Sequence, residues 1–183
     1  MVRSSEMKIT KTEIAGVFII EPQLFWDDRG FFTEAWNKEI FNKNEIPADF
    51  VRSAISYNPK KWTLRGLHFQ TGSHAEAKLI QVFKGRIFDA VVDIRKGSPT
   101  FGKYFCFELG EKDRKLIYVP RGMAHGFLTL EDETVVTYQL DNHYAPSAQS
   151  GIRFDDPAFK VPWPHAPANI SEKDLQFADF KSS

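Results

Sequence analysis

Short runs of aromatic and β-branched residues, each closed by a turn signal, recur along most of this chain, and helical patterning is scarce. The runs are Val17 to Glu21, Phe31 to Trp36, Phe50 to Tyr57, Lys78 to Phe83 and Arg86 to Ile94, then Gly102 to Leu109, Lys115 to Val119, Gly126 to Leu130 and Thr134 to Asp141. Between them stand Asp28-Arg29-Gly30, Lys84-Gly85-Arg86, Lys96-Gly97-Ser98-Pro99 and Pro120-Arg121-Gly122. Short strands at this spacing predict an all-β fold, a sandwich or barrel of antiparallel strands. The 17 Phe, 5 Tyr and 4 Trp suit such pleated, half-buried surfaces.

Two short helices are expected. Lys38 to Asn44 can dock Ile40 and Phe41 on one face, and Ser171 can cap a turn that begins at Glu172. Residues 155–167 are interrupted by Pro157, Pro162, Pro164 and Pro167 and read as irregular. With no repeat, low-complexity stretch or linker, residues 1–183 are expected to form one domain, residues 1–7 being a leader and Met7 the natural start. The beginning lacks the apolar stretch of a signal peptide, and no apolar run approaches the ~20 residues of a membrane span. A cytoplasmic protein is the expectation.

Lys plus Arg and Asp plus Glu both number 24, so the net charge is zero. That balance gives no electrostatic reason to expect nucleic acid or a membrane surface as partner, while a local basic pocket for one phosphorylated ligand remains compatible with it. The single cysteine, Cys106, can form no intrachain disulfide and reads as a buried, inert thiol.

The five histidines are His68, His74, His125, His143 and His165. A metal-binding β-helix usually brings two histidines one residue apart, then a carboxylate and a third histidine. His68 and His74 do not have that spacing, and Glu76 lies too near His74, so no metal is expected, although His68, His74 and His125 are the set that would hold one. His68 sits in Leu64-Arg65-Gly66-Leu67-His68-Phe69. Regular alternation would put Arg65 and Leu67 on one face and Gly66 and His68 on the other.

Three other residues give His68 company. Lys78 enters an apolar strand, Tyr138 stands in another, and His125 is flanked by small residues that would let a ligand approach. Each taken alone is more often structural: a core histidine, a snorkelling lysine, a packed tyrosine, a turn histidine. Together they supply a neutral-pH base, a cation and a phenol acid, the groups that proton abstraction beside a carbonyl needs. No dinucleotide fingerprint, phosphate-binding loop or serine elbow is present, so a reaction without a cofactor fits.

From residue 8 to about residue 176 the chain resembles the dTDP-4-dehydrorhamnose 3,5-epimerase family. The resemblance is carried by Asp28-Arg29-Gly30-Phe31-Phe32-Thr33-Glu34, Leu64-Arg65-Gly66-Leu67-His68-Phe69, Ala77-Lys78-Leu79 and the long stretch Phe88 to Gly102. Ala124-His125-Gly126-Phe127-Leu128, Asp155-Asp156-Pro157-Ala158, Trp163-Pro164 and Ser171-Glu172-Lys173-Asp174 extend it in order. The resemblance implies a double-stranded β-helix, the cupin-like jelly-roll sandwich, together with a homodimer, no metal and a sugar-nucleotide substrate. It implies that His68 is the base, Asp174 its orienting carboxylate, Lys78 the group facing the sugar oxygens and Tyr138 the acid. Arg65, His125 and Lys173 would hold sugar and pyrophosphate, Arg29 and Glu34 would touch the nucleotide from across a dimer, and Tyr144 would stack on the base. The reaction implied is epimerisation of a 4-keto-6-deoxyhexose at C3, C5 or both. A monoepimerase, a ketoisomerase or a non-catalytic sugar-nucleotide-binding sandwich are the alternatives.

The sequence departs from that family where ligand contacts are expected. Ser53-Ala54-Ile55-Ser56-Tyr57-Asn58-Pro59 stands where Gln-x-Asn and small polar residues are usual, Thr71-Gly72-Ser73-His74 replaces a Pro-Pro loop, Glu76 a Gln and Gln149 a Glu. An intact catalytic set inside an altered recognition shell is the expectation.

Overall fold

The computed structural model describes residues 7–47 and 49–180. In chain order the elements are β1 (Lys8–Lys11), β2 (Phe18–Glu21), β3 (Phe25–Asp27), β4 (Gly30–Phe32), α1 (Lys38–Lys43), β5 (Arg52–Asn58), β6 (Leu64–Gln70) and β7 (Lys78–Lys84). They continue with β8 (Arg86–Asp93), β9 (Tyr104–Gly110), β10 (Leu116–Val119), β11 (Met123–Thr129), β12 (Thr134–Leu140), β13 (Gln149–Gly151) and α2 (Glu172–Leu175). Of the expected leader only Met7 belongs to the described residues.

The central strands form one long antiparallel hairpin wound into two sheets. Its arms pair β8 with β9, β7 with β10, β6 with β11 and β5 with β12. Successive strands cross from sheet to sheet, and the winding adds the pairs β7·β12 and β8·β11. The six-stranded sheet runs β1-β2-β10-β7-β12-β5 and the five-stranded sheet β13-β6-β11-β8-β9. This is the double-stranded jelly roll. Each strand turns alternate residues inward, so Ile80, Val82 and Val136 of one sheet meet Ile87, Val91, Met123 and Phe127 of the other in the inter-sheet core. No helix among the described residues is long and apolar enough to cross a membrane.

Each outer face is handled differently. Asn37 caps α1 by accepting from the Glu39 and Ile40 amides, and the helix lays Phe41 over Leu79, Leu116 and Tyr118. On the five-stranded sheet the proline-interrupted stretch folds back, placing Ile152, Phe159 and Val161 over Leu67, Ala90, Val92 and Ala124. Asp156 ties that stretch to the tail, accepting from Ala158 N at 2.8 Å and Phe180 N at 2.6 Å. The expected strand Phe31 to Trp36 is shorter and part of a β3–β4 hairpin, because its register runs back onto Phe25–Asp27. β1 and β13, at the sheet edges, carried too little pattern to be read from the sequence.

The turn between β8 and β9 explains one stretch of polar residues in chemical terms. Asp93 is fully buried and accepts from Arg95, Ser98 and Thr100, the last two at 2.6 Å. Burial alone would raise its pKa, but these donors outweigh it and hold it down at about 2.

On β6, regular alternation fails. His68 pairs with His125 and Arg65 with Phe127, so three steps on β6 oppose two on β11. Gly66 (φ +117°) takes up the irregularity. There the two backbones nearly touch: a Cβ on Gly66 would lie 2.6 Å from Gly126 Cα, and one on Gly126 would lie 2.7 Å from the Arg65 carbonyl. The expected facing is therefore corrected. Arg65 and His68 share the inner face with His125 and Phe127, while Leu67 turns outward into the cluster beneath the tail. Of the small neighbours of His125, Gly126 serves this strand contact and Ala124 packs into the outer cluster.

Two outcomes follow from these contacts. Gly126→Ala is expected to lose about 2–3 kcal/mol and roughly 5–10 °C of melting temperature, read by thermal denaturation. Asp93→Asn should unfold in urea about 2 kcal/mol more easily near pH 7. Because the folded pKa of Asp93 is depressed, its contribution is complete above about pH 4 and the gap to wild type should close as pH falls toward about 2.

Candidate active site

His68 and His125 lie side by side on paired strands of the five-stranded sheet. Lys78 and Tyr138 come from the facing sheet, Lys78 at the start of β7 and Tyr138 on β12. The site is thus assembled between the sheets, where side chains are withdrawn from water and electrostatic interactions strengthen.

Each histidine has its own aspartate. His68 Nε2 lies 2.7 Å from Asp174 Oδ1, and Asp174 Oδ2 accepts from the Gly66 amide at 3.2 Å. Ser171 caps α2 by accepting from the Asp174 amide at 3.1 Å, which fixes the carboxylate against β6. Burial would push the Asp174 pKa up, but His68 and the Gly66 amide together hold it below the ordinary range. An ionised Asp174 keeps a proton on Nε2 and leaves Nδ1 of His68 with its lone pair. Among the described residues that atom has no hydrogen-bond partner. The Phe177 ring stands edge-on to the imidazole, centroids 6.0 Å apart, and packs so close to β13 that a Cβ on Gly151 would lie 2.2 Å from it.

The second pair is His125 Nε2 and Asp89 Oδ2 at 2.8 Å, both buried. Asp89 Oδ1 has no hydrogen-bond partner among the described residues. The Tyr138 ring meets His125 edge-on at 6.3 Å, and burial, with the nearby Asp89 charge, pushes the phenol pKa well up. Tyr138 therefore stays protonated and available as an acid.

Lys78 is 7% exposed and its ammonium donates to the His68 carbonyl at 3.1 Å. Burial lowers its pKa, with Glu76 at 3.9 Å opposing that shift. A cavity of about 340 Å³ opens in front of His68, lined also by Arg65, Gln149, Lys173 and Asp174. Arg65 Nε donates to Asn58 Oδ1 at 2.6 Å, and Gln149 Oε1 accepts from both Lys173 Nζ (2.7 Å) and Tyr144 Oη (2.8 Å).

Arg65, His68, Lys173 and Asp174 line this cavity, and Lys78, His125, Tyr138 and Tyr144 connect to its lining through the contacts above. Arg29 and Glu34 do not. Arg29 pairs with Asp27 at the tip of the β3–β4 hairpin, and Glu34 lines a different cavity with Gln23, Phe25 and Lys43. Asp89, Arg52, Gln70 and Phe177 have no role in the sequence reading, and Asn58 and Gln149 enter it only as departures from the family pattern. Asp89 alone had a visible signal, a carboxylate inside the apolar run Ile87 to Val92. His74, in an exposed 3-10 turn, stands apart from His68 and His125, and no group of three or more His, Cys, Asp or Glu among the described residues could hold a metal ion. Cys106 is half-buried and burial pushes its thiol up to about 12, so it stays protonated.

A proton acceptor held by a carboxylate, a protonated phenol and a buried ammonium can move a proton at a carbon beside a carbonyl. Known proteins agree with that chemistry. A family profile described as dTDP-4-dehydrorhamnose 3,5-epimerase matches residues 11–182. The dTDP-4-dehydrorhamnose 3,5-epimerase of Methanothermobacter thermautotrophicus is 40% identical over 182 residues, covering 98% of this chain and 97% of the relative. The crystal structure of the Bacillus anthracis enzyme of that name, with TDP and PPi bound, superposes with a TM-score of 0.92 at 40% identity, covering 95% of this chain and 99% of that one. The dTDP-6-deoxy-D-glucose-3,5-epimerase of Legionella pneumophila in complex with dTDP-4-keto-L-rhamnose gives 0.87 at 35% identity, covering 93% and 90%. By fold, extent and sequence, the chain belongs to the dTDP-4-dehydrorhamnose 3,5-epimerase family.

Proposed function

We propose that this chain epimerises a dTDP-linked 4-keto-6-deoxyhexose at C3, C5 or both, with His68 as base and Tyr138 as acid. The observation that carries the assignment is the His68–Asp174 pair, with the Lys78 ammonium on the His68 carbonyl and the Tyr138 ring against His125, the cross-strand neighbour of His68. Both C3 and C5 flank the C4 carbonyl, so their hydrogens are acidic. His68 Nδ1 removes one, the electron pair moves onto the C4 oxygen, and the Lys78 ammonium stabilises the enolate. Tyr138 returns a proton to the opposite face, and solvent restores both groups. Asp174 keeps the imidazole in the right tautomer and balances its charge once it is protonated. Substrate and product are isomers, so the chemistry consumes no redox partner and needs no cofactor.

Arg65 and Lys173 are the cations beside the cavity that suit a diphosphate, with His125 on the sugar and Tyr144 stacking on the base. The chain works as one domain, and a sugar-nucleotide substrate suits a cytoplasmic enzyme.

A homodimer completes the site in this reading. The outer face of the six-stranded sheet leaves Ile55 73% and Phe83 63% exposed, and Trp26 and Phe32 of the hairpin are 60% and 68% exposed. Apolar exposure of this kind marks a surface that another chain covers. A partner hairpin docked there would bring its Arg29 and Glu34 to the nucleotide.

In deuterium oxide with a dTDP-4-keto-6-deoxyhexose, mass spectrometry and NMR should find label at C3, C5 or both, and label at one centre alone means a monoepimerase. His68→Ala should slow exchange by at least about a hundredfold, whereas Tyr138→Phe should impair epimerisation more than exchange. Binding without any exchange would instead identify a sugar-nucleotide-binding protein. Ile55→Asp combined with Phe83→Asp should convert a dimer to a monomer in sedimentation, and a wild type that sediments as a monomer would remove the dimer from the scheme.

A further inference from the structure

Beside Lys78 lies a group of charges that the epimerisation scheme leaves unused. Glu76, its side chain 9% exposed, pairs with the Arg52 guanidinium on β5, accepts from Gln70 Nε2 at 3.0 Å and reaches to 3.9 Å from Lys78 Nζ. Every member of the group is held from elsewhere. Arg52 Nε donates to the Asn142 carbonyl at 2.8 Å, and its guanidinium lies 5.8 Å from the Tyr144 ring centroid. Gln70 donates to the carbonyls of His74 and His143 and accepts from the Ala145 amide at 2.7 Å. Two cations therefore share one carboxylate in a space largely shut off from water.

Such sharing is sensitive to any single change. Unit charges about 4 Å apart interact strongly when partly buried, and removing one partner leaves its counterpart uncompensated. The charged groups that bear on Lys78 are Glu76 from the approach to β7, Arg52 from β5 and Asp89 from β8. Glu76 and Asp89 favour the ammonium, while Arg52 and burial oppose it.

We propose that Glu76 is a positioning residue for Lys78, keeping its ammonium charged and aimed into the site, and that Arg52 and Glu76 form a matched pair whose charges must change together. The proposal rests on the reading that Lys78 stabilises the enolate oxygen. Gln70 is the fixed element that holds the carboxylate between the two cations. A bridge that served stability alone would leave the Lys78 titration where it is.

The test uses the whole protein with 13C-labelled lysine, Lys78 being assigned by Lys78→Met, and follows its titration in Glu76→Gln, Arg52→Gln and the double variant. Lys78 should titrate at lower pH in Glu76→Gln, at higher pH in Arg52→Gln, and near the wild-type position in the double variant. In turnover, Glu76→Gln should lose roughly tenfold in kcat on the alkaline side with KM changed less than about threefold, and the double variant should regain most of it. Glu76→Asp should recover part of the alkaline activity. An unmoved Lys78 titration in both single variants overturns the proposal, as does a loss of kcat equal at every pH. If Glu76→Gln fails to fold, the upward shift in Arg52→Gln decides. A wild type inactive on every keto-sugar nucleotide would refute the functional reading, while the Lys78 titration would still judge the role of Glu76.

Discussion

Everything chemical in this protein depends on two strands brought closer than side chains allow. At the crossing of β6 and β11, Gly66 and Gly126 face each other with no room for a Cβ on either. The close approach goes with the extra residue on β6, and the extra residue decides which way the neighbours face. Without it Arg65 and His68 would lie on opposite sides of the sheet. With it, one strand sends His68 and Arg65 into the same space and still anchors Leu67 in the outer layer. The Gly66 amide, freed from regular pairing, becomes a donor to Asp174. A packing constraint and a catalytic feature are thus one piece of backbone.

The space between the sheets sets the electrostatics of what is placed there. The same burial acts in opposite directions on the groups it surrounds: it pushes Tyr138 toward its protonated form and Lys78 toward its neutral one. An acid gains from that and an electrophile loses. The lysine is approached by the Glu76 carboxylate, which opposes that loss. Asp174 resists burial through its partners, His68, the Gly66 amide and the Ser171 side chain. Position between the sheets and choice of partner together determine which proton each group carries.

Much of this was legible in the residues. Strand periodicity and turn residues led to an all-β sandwich or barrel, and His68, Lys78, Tyr138 and His125 stood out by residue type, whereas Asp174 came only from the family resemblance. What was not legible depends on irregularity or on long-range pairing. The facing of Arg65 was misread because alternation assumes a regular strand, and only the contact with Gly126 reveals the extra residue. Asp89 and His125 are 36 positions apart and become partners only through the β8·β11 register. Glu76 was noticed as an unusual residue, but its meaning lay in Arg52, 24 positions earlier on a strand that joins it only in the wound sheet. Arg29 and Glu34 face away from this chain's own site, so their expected role needs a surface that a single chain does not supply.

The tail carries the last requirement. His68 and its carboxylate are 106 positions apart, so the pair exists only after the chain has crossed back over the five-stranded sheet. That return path is fixed at successive points: Asn169 bridges to Thr63, Ser171 caps the turn that carries Asp174, Phe177 seats on Gly151, and Phe180 is tied to Asp156. The prolines upstream suit this, since a stiff irregular strap holds its course without competing for sheet pairing. In the proposed scheme these points keep the imidazole from turning, since an unoriented imidazole beside a ketone is a poor base. The jelly roll supplies the shielded space, and the strap that closes over it holds His68 to its carboxylate.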